Sequence, residues 1–97
     1  MFARVVTVQM KPEYLDEANQ IYTESIISYA RTQKGFKRVW LLSDRNTGKT
    51  LSISVWETEA DMLAGERSGY LKDQTAKLAG FFTGQPITEH FEVTAEG

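Results

Sequence analysis

Ninety-seven residues are enough for a single domain, 1–97, and 11 Lys and Arg against 13 Asp and Glu leave a net charge of −2, without the positive surplus that non-specific nucleic-acid or acidic-membrane binding needs. With no cysteine there is no disulfide, thiolate metal site, iron–sulfur cluster or cysteine nucleophile. A single histidine, His90, argues against a histidine-based metal site within one chain, so the expectation is no metal and no cofactor.

Phe2 to Met10 is β-branched and half-alternating, and reads as a strand. Pro12 suits the first turn of a helix, where its missing N–H costs nothing. From Glu13 to about Arg31, Leu15, Ala18, Tyr22, Ile26, Tyr29 and Ala30 share one face, with Glu13, Glu17, Gln20, Glu24 and Arg31 opposite. Gly35 stops that helix and opens a second strand, Phe36 to Asp44. A three-residue loop, Asn46-Thr47-Gly48 with Gly48 in the left-handed position, leads into a third strand, Thr50 to Glu57. This loop places Arg45 opposite Lys49, so that Val39 faces Val55 and Leu41 faces Ile53 on one side. On the other side Arg38 faces Trp56, Trp40 faces Ser54 and Leu42 faces Ser52; one residue of error in the loop would exchange the faces of one strand. Thr58 caps the next helix, with acids in its first turn. That helix breaks between Gly65 and Gly69 and restarts with Ser68 as a new cap. Its apolar stripe is Met62, Leu63, Tyr70, Leu71, Leu78 and Phe82; Gly80, Gly84 and Pro86 end it, and Ile87 to Thr94 forms a fourth strand. Strand, helix, strand, strand, helix, strand is the split βαβ or ferredoxin-like α+β pattern, a four-stranded antiparallel sheet with two helices on one face.

No uncharged run approaches the ~18 residues of a spanning helix, and the start carries no signal-peptide pattern. A soluble cytoplasmic protein is expected, with no membrane partner.

Two helices cover one face of such a sheet. Val39, Leu41, Leu51, Ile53 and Val55 are the natural partners of the helical stripes, which leaves Phe36, Arg38, Trp40, Leu42 and Trp56 on the open face. Several hundred Å² of apolar surface is more than a monomer commonly leaves in water. At roughly 25 cal/mol per Å² an identical sheet would cover it with a gain of several kcal/mol before association costs. A two-fold homodimer joined sheet to sheet follows, with Arg38 and Trp56 stacked across the hairpin as a cation–π pair.

The segment order, the Lys11-Pro12 helix entry, Val55-Trp56-Glu57 running into a broken helix, and Gly84-Gln85-Pro86 before the final strand resemble the antibiotic-biosynthesis-monooxygenase-like family of dimeric α+β barrels. The resemblance spans Phe2 to Thr94 and is one of lengths and apolar positions. It implies a homodimer whose two sheets close a barrel, with pockets between each sheet and its helices. Characterised members include cofactor-independent monooxygenases of polycyclic phenols, quinol monooxygenases and haem-degrading enzymes. The haem-degrading branch implies Asn on the first strand with Trp and His on the second helix. Phe2 to Met10 has no Asn, and Asp61 to Phe82 has neither Trp nor His, so that branch is set aside.

A cofactor-free oxygenase must bind an electron-rich phenol or quinol, deprotonate it and hold it beside oxygen in an apolar enclosure. Tyr22, Tyr29 and Tyr70 can aim hydroxyls into such a pocket, although core packing with the hydroxyl at the rim is the ordinary use of such residues. His90 is a candidate base, set against the ordinary role of a lone strand histidine at a surface or interface. Gly48-Lys49-Thr50 looks like the end of a phosphate-binding loop, but Ser43 stands where the earlier Gly is needed and a strand follows. RNA-recognition domains share the strand order, yet the third strand offers Ser52 and Ser54 where stacking aromatics are needed, so nucleic acid is not expected. The expectation is a cofactor-free monooxygenase acting on a small aromatic such as a quinol. The alternatives are a non-catalytic homodimer that binds a small apolar ligand or serves a structural role, and an isomerase or decarboxylase using one general base.

Overall fold

Alternating β-branched residues extend Phe2–Gln9 as strand β1; the computed structural model covers residues 1–97 and describes them all, apart from the side chain of Tyr70. Lys11 is extended and Pro12 opens a 3₁₀ turn, Pro12–Tyr14. Helix α1, Leu15–Ile21, a π turn, Tyr22–Ile27, and helix α2, Ser28–Ala30, then run on without a break in helical backbone. The buried residues are Leu15, Ala18, Tyr22, Ile26 and Ala30. Residues four apart drift by about 40° per step around a regular α-helix. The wider π turn takes up that drift and keeps all five on the core. Tyr29, expected on the same face, is 46% exposed and turns away from it.

Strands β2 (Phe36–Ser43) and β3 (Lys49–Trp56) form the central hairpin, and β4 (Ile87–Glu92) completes one antiparallel sheet in the order β2-β3-β1-β4. The ferredoxin-like α+β arrangement expected from the segment order is the one observed. Thr58 caps helix α3, Glu59–Arg67, by accepting the Asp61 N–H at 3.1 Å. The break before helix α4, Tyr70–Ala76, comes where expected, but Ser68 is not the new cap. Its hydroxyl donates back to the Gly65 carbonyl, and Gly69, in the left-handed conformation at φ +83°, occupies the cap position. Gly80 does not end the helix either; it sits inside a 3₁₀ turn, Ala79–Phe81.

The hairpin loop is one residue longer than the spacing suggests. Asp44, not Arg45, stands opposite Lys49: its N–H donates to the Lys49 carbonyl at 2.8 Å, and its own carbonyl accepts from Gly48. The cause is the Asp44 carboxylate, which accepts the N–H groups of Asn46 (2.9 Å) and Thr47 (3.3 Å) and so closes the turn from its first residue. Those amide donors hold the Asp44 carboxyl below its ordinary range. Gly48 is left-handed as expected, at φ +81°, and its Cα packs on the Met10 carbonyl, leaving no space for a side chain.

One residue of loop exchanges the faces of β3. Val39 pairs with Ser54, Trp40 with Ile53, Leu41 with Ser52 and Leu42 with Leu51. The side chains of Ser52, Ser54 and Trp56 therefore turn toward the helices with Val39 and Leu41, whereas Leu51, Ile53 and Val55 join Arg38, Trp40 and Leu42 on the open face. Trp56, expected on that face, is 1% exposed. Phe36, also expected there, sits past a bulge between it and Arg38 and packs edge-on against Trp56, ring centroids 5.7 Å apart. The Arg38–Trp56 stack is likewise replaced: Arg4 lies over the Trp56 ring, 5.4 Å from its centroid.

Candidate functional site

The helix-facing side of the sheet and the two helical arms enclose a cavity of about 70 Å³, several times the ~10–15 Å³ that one water requires. Strand periodicity supplies its floor: Arg4, Val6 and Val8 from β1, Val39 and Leu41 from β2, Ser52, Ser54 and Trp56 from β3. The π turn brings in Tyr22 and Ile26, and α4 with the chain beyond it adds Leu71, Gln74, Thr75, Leu78 and Phe82. Val6, Leu71, Thr75 and Phe82 also line an open groove toward β4, bordered by Glu66, Lys72 and Thr88, so the groove adjoins the cavity across these four side chains.

Six polar residues stand in this apolar wall: Arg4, Tyr22, Ser52, Ser54, Gln74 and Thr75. Arg4 is 3% exposed; its guanidinium donates to the Met62 carbonyl at 2.9 Å and lies 3.4 Å from the Glu66 carboxylate. The Tyr22 hydroxyl and Ser52 Oγ share a hydrogen bond of 2.6 Å. Burial raises the Tyr22 pKa, against smaller lowering effects from Ser52 and the Arg4 charge. Tyr22 is thus a neutral hydroxyl at physiological pH and not a base. Ser54 Oγ accepts from Trp56 Nε1 at 2.9 Å and fixes the indole. Gln74 is 6% exposed, and its Oε1 has no hydrogen-bond partner among the described residues.

Of the residues singled out from the sequence, Tyr22 lines the cavity, Tyr29 faces outward, and the side chain of Tyr70 lies outside the described residues. His90 is on β4 with its imidazole 40% exposed, away from the cavity wall. Its Nε2–H donates to Glu66, 2.9 and 3.0 Å from the two oxygens. A polar chain thus runs from the cavity to the surface: Arg4, Glu66, His90. Among the described residues no group of three or more His, Cys, Asp or Glu could hold a metal, and no helix is long and apolar enough to cross a membrane.

Arg4 and Gln74 were not singled out, although each had a signal. Arg4 is in phase with Val6 and Val8, so alternation alone puts it on their face. Gln74 falls three residues after Leu71 and four before Leu78, in the apolar stripe of its helix.

Solved structures of the same fold are numerous. A monooxygenase from the gene ActVA-Orf6 of Streptomyces coelicolor, in complex with the ligand nanaomycin D, is 22% identical with a TM-score of 0.74, over 99% of this chain and 88% of that one. SnoaB, a cofactor-independent oxygenase from Streptomyces nogalater, is 17% identical with a TM-score of 0.76, over 98% and 94%. NE2512, a protein of unknown function from Nitrosomonas europaea, reaches a TM-score of 0.78 at 18% identity, over 99% and 91%. At these identities the likeness is one of fold. Two uncharacterized proteins of Mycobacterium tuberculosis, MT2634 and Rv2557, are each 29% identical over 96 residues, and the chain spans only 42% of their length. The sheet-and-helix frame around the cavity is thus a shared one, and the sequence itself matches the family model for antibiotic biosynthesis monooxygenase over residues 1–77. With four-fifths of its length inside that match, the chain belongs to the antibiotic biosynthesis monooxygenase family.

Proposed function

We propose that this chain is a cytoplasmic, homodimeric, cofactor-independent monooxygenase acting on a small aromatic of the quinol or polycyclic-phenol kind. The observation that carries this reading is an apolar cavity, in a member of this family, whose wall holds one buried cation, a neutral hydroxyl pair and an amide oxygen unpartnered among the described residues. An electron-rich ring fits the apolar wall, and Arg4 favours its ionised form. A charge-assisted hydrogen bond is worth about 1.5–3 kcal/mol, which lowers a phenol's pKa by about one to two units. The ring anion then supplies the electrons that reduce dioxygen: one oxygen atom enters a ring carbon, and the other leaves as water with two of the substrate's hydrogens, one from that carbon and one from the hydroxyl. The substrate proton departs toward the groove by way of Glu66, which borders it and bonds His90 at the surface. Water exclusion by Val6, Val8, Leu41 and Trp56 strengthens the Arg4 interaction.

The homodimer is supported by the open face of the sheet. Trp40, Leu42, Ile87 and Phe91 are 44–59% exposed there, and Val5, Leu51, Ile53 and Val55 lie among them. After loss of Trp56 and Phe36 the face still carries these eight apolar residues, with Thr7, Arg38 and Glu89 among them, and it is the surface an identical sheet would cover.

One observation favours the second reading, a non-catalytic ligand-binding dimer: among the described residues no carboxylate or imidazole lines the cavity. Oxygen uptake by metal-stripped protein, with hydroquinones and anthrone-like phenols and with heat-denatured protein as the blank, separates the two. Saturable uptake that falls on Arg4→Met supports the oxygenase. Uptake no faster than the blank across the panel moves the assignment to the binding protein.

A further inference from the structure

A buried amide oxygen without a partner is costly to a folded chain, about 1–3 kcal/mol, and is uncommon enough to require an explanation. Gln74 Oε1 is such an atom, on a residue 6% exposed that lines the cavity. It only accepts hydrogen bonds. A second polar point in the same wall does the opposite: the Tyr22 and Ser52 hydroxyls have two O–H hydrogens and spend one on their mutual bond of 2.6 Å, so the pair retains one to donate. Among the described residues the rest of the wall is apolar apart from Arg4, Ser54 and Thr75. Ser54 is engaged by the Trp56 indole, and Arg4, held by Met62 and Glu66, has only donors to offer. An acceptor without a donor and a hydroxyl pair with a hydrogen to give match an aromatic hydroxyl, which donates through its hydrogen and accepts through its oxygen.

We propose that Gln74 is the specificity-determining residue of this cavity, its Oε1 accepting the hydrogen bond of a neutral aromatic hydroxyl and so selecting hydroxylated rings over the hydrocarbons of the same shape. The inference rests on the reading of the cavity as a site for a small aromatic, and it sets the form in which the ligand enters: protonated, before any ionisation. A site built around a hydroxyl rejects the ring that lacks one, because its own polar atoms stay unpaired.

Titration calorimetry at neutral pH of the full chain with phenol and with benzene, on wild type and on Gln74→Leu, tests it. The phenol-to-benzene affinity ratio is expected to fall about tenfold in the variant, the worth of one buried hydrogen bond. Gln74→Met, of similar length and also apolar, should do the same and serves if the leucine variant does not fold. A ratio that changes less than twofold overturns the inference, as does wild-type protein that does not bind phenol at all. Phenol held through Gln74 by a chain that consumes no oxygen upholds this inference and removes the oxygenase reading. Turnover of quinols that is unaffected by Gln74→Leu removes the inference and leaves the oxygenase reading in place.

Discussion

The Arg4 guanidinium lies 5.4 Å from the centre of the Trp56 ring, and the two residues are diagonal neighbours on the helix side of the β1–β3 pair, where Arg4 stands opposite Ser54 and Phe2 opposite Trp56. Everything about the candidate site depends on that side of β3 being the inner one. It makes Trp56 a wall of the cavity and leaves Trp40 on the open sheet.

The two tryptophans should therefore respond differently to truncation. Trp56→Ala empties a site that is 1% exposed and should destabilise the chain by about 3–5 kcal/mol. Trp40→Ala should change intrinsic stability by no more than about 1 kcal/mol while weakening self-association. Denaturant unfolding at fixed protein concentration, paired with sedimentation, reads both. Equal losses of intrinsic stability would contradict the observed register.

Self-association has its own test. Leu42→Glu places a charge amid Trp40, Leu51 and Ile53 on the open face; burying it unpaired is strongly disfavoured. The variant is expected to sediment as a monomer with the helix content of wild type. A dimer that withstands this charge is joined elsewhere.

Tyr22→Phe removes the 2.6 Å bond to Ser52 and should cost about 1 kcal/mol. The pH dependence has a definite sign. Burial raises the Tyr22 pKa in the folded chain, so the folded state holds its proton more tightly than the unfolded one. The associated stability is complete below the ordinary tyrosine pKa and is lost as pH rises from there through the raised value. Wild type should thus lose stability more steeply than Tyr22→Phe in the alkaline range, as followed by melting temperature, and a parallel decline would place Tyr22 in solvent.

The turn residue behaves in the opposite sense. Asp44 is held below its ordinary range by the amides of Asn46 and Thr47, so its contribution is complete above the unfolded carboxylate pKa and disappears as pH falls through the folded one. Asp44→Asn retains an acceptor oxygen for the turn but has no charge to lose. The difference in melting temperature between wild type and Asp44→Asn should narrow on acidification, and a constant difference would mean that the carboxylate does not close the turn.

Element order and fold class were legible because they rest on periodicity and punctuation: Pro12 at a helix entry, Gly35 and Gly48 at left-handed positions, Thr58 at a cap. The register of β2 on β3 was not, because loop length hangs on one side chain. Asp44 competes for the turn amides, and spacing alone does not reveal whether it or Arg45 ends the strand. That single residue moved Trp56 from the open face to the core and put Leu51, Ile53 and Val55 in its place. The candidate site was less legible than the fold. Tyr22 was found by helical spacing. Arg4 and Gln74, a charged and a polar residue in apolar phase, stood out only once the faces were fixed. His90 attracted notice as the one histidine, yet it bonds Glu66 at the outer end of the polar chain.

The most direct measurement of the central claim follows the oxygen atoms. Purified, metal-stripped protein is given an anthrone-like phenol under isotopically labelled dioxygen, and the product is weighed by mass spectrometry against heat-denatured protein. The account predicts one labelled oxygen atom at the oxidised ring carbon, formed faster than in the blank and more slowly with Arg4→Met. Product that is unlabelled, or that forms no faster than in the blank, would contradict it.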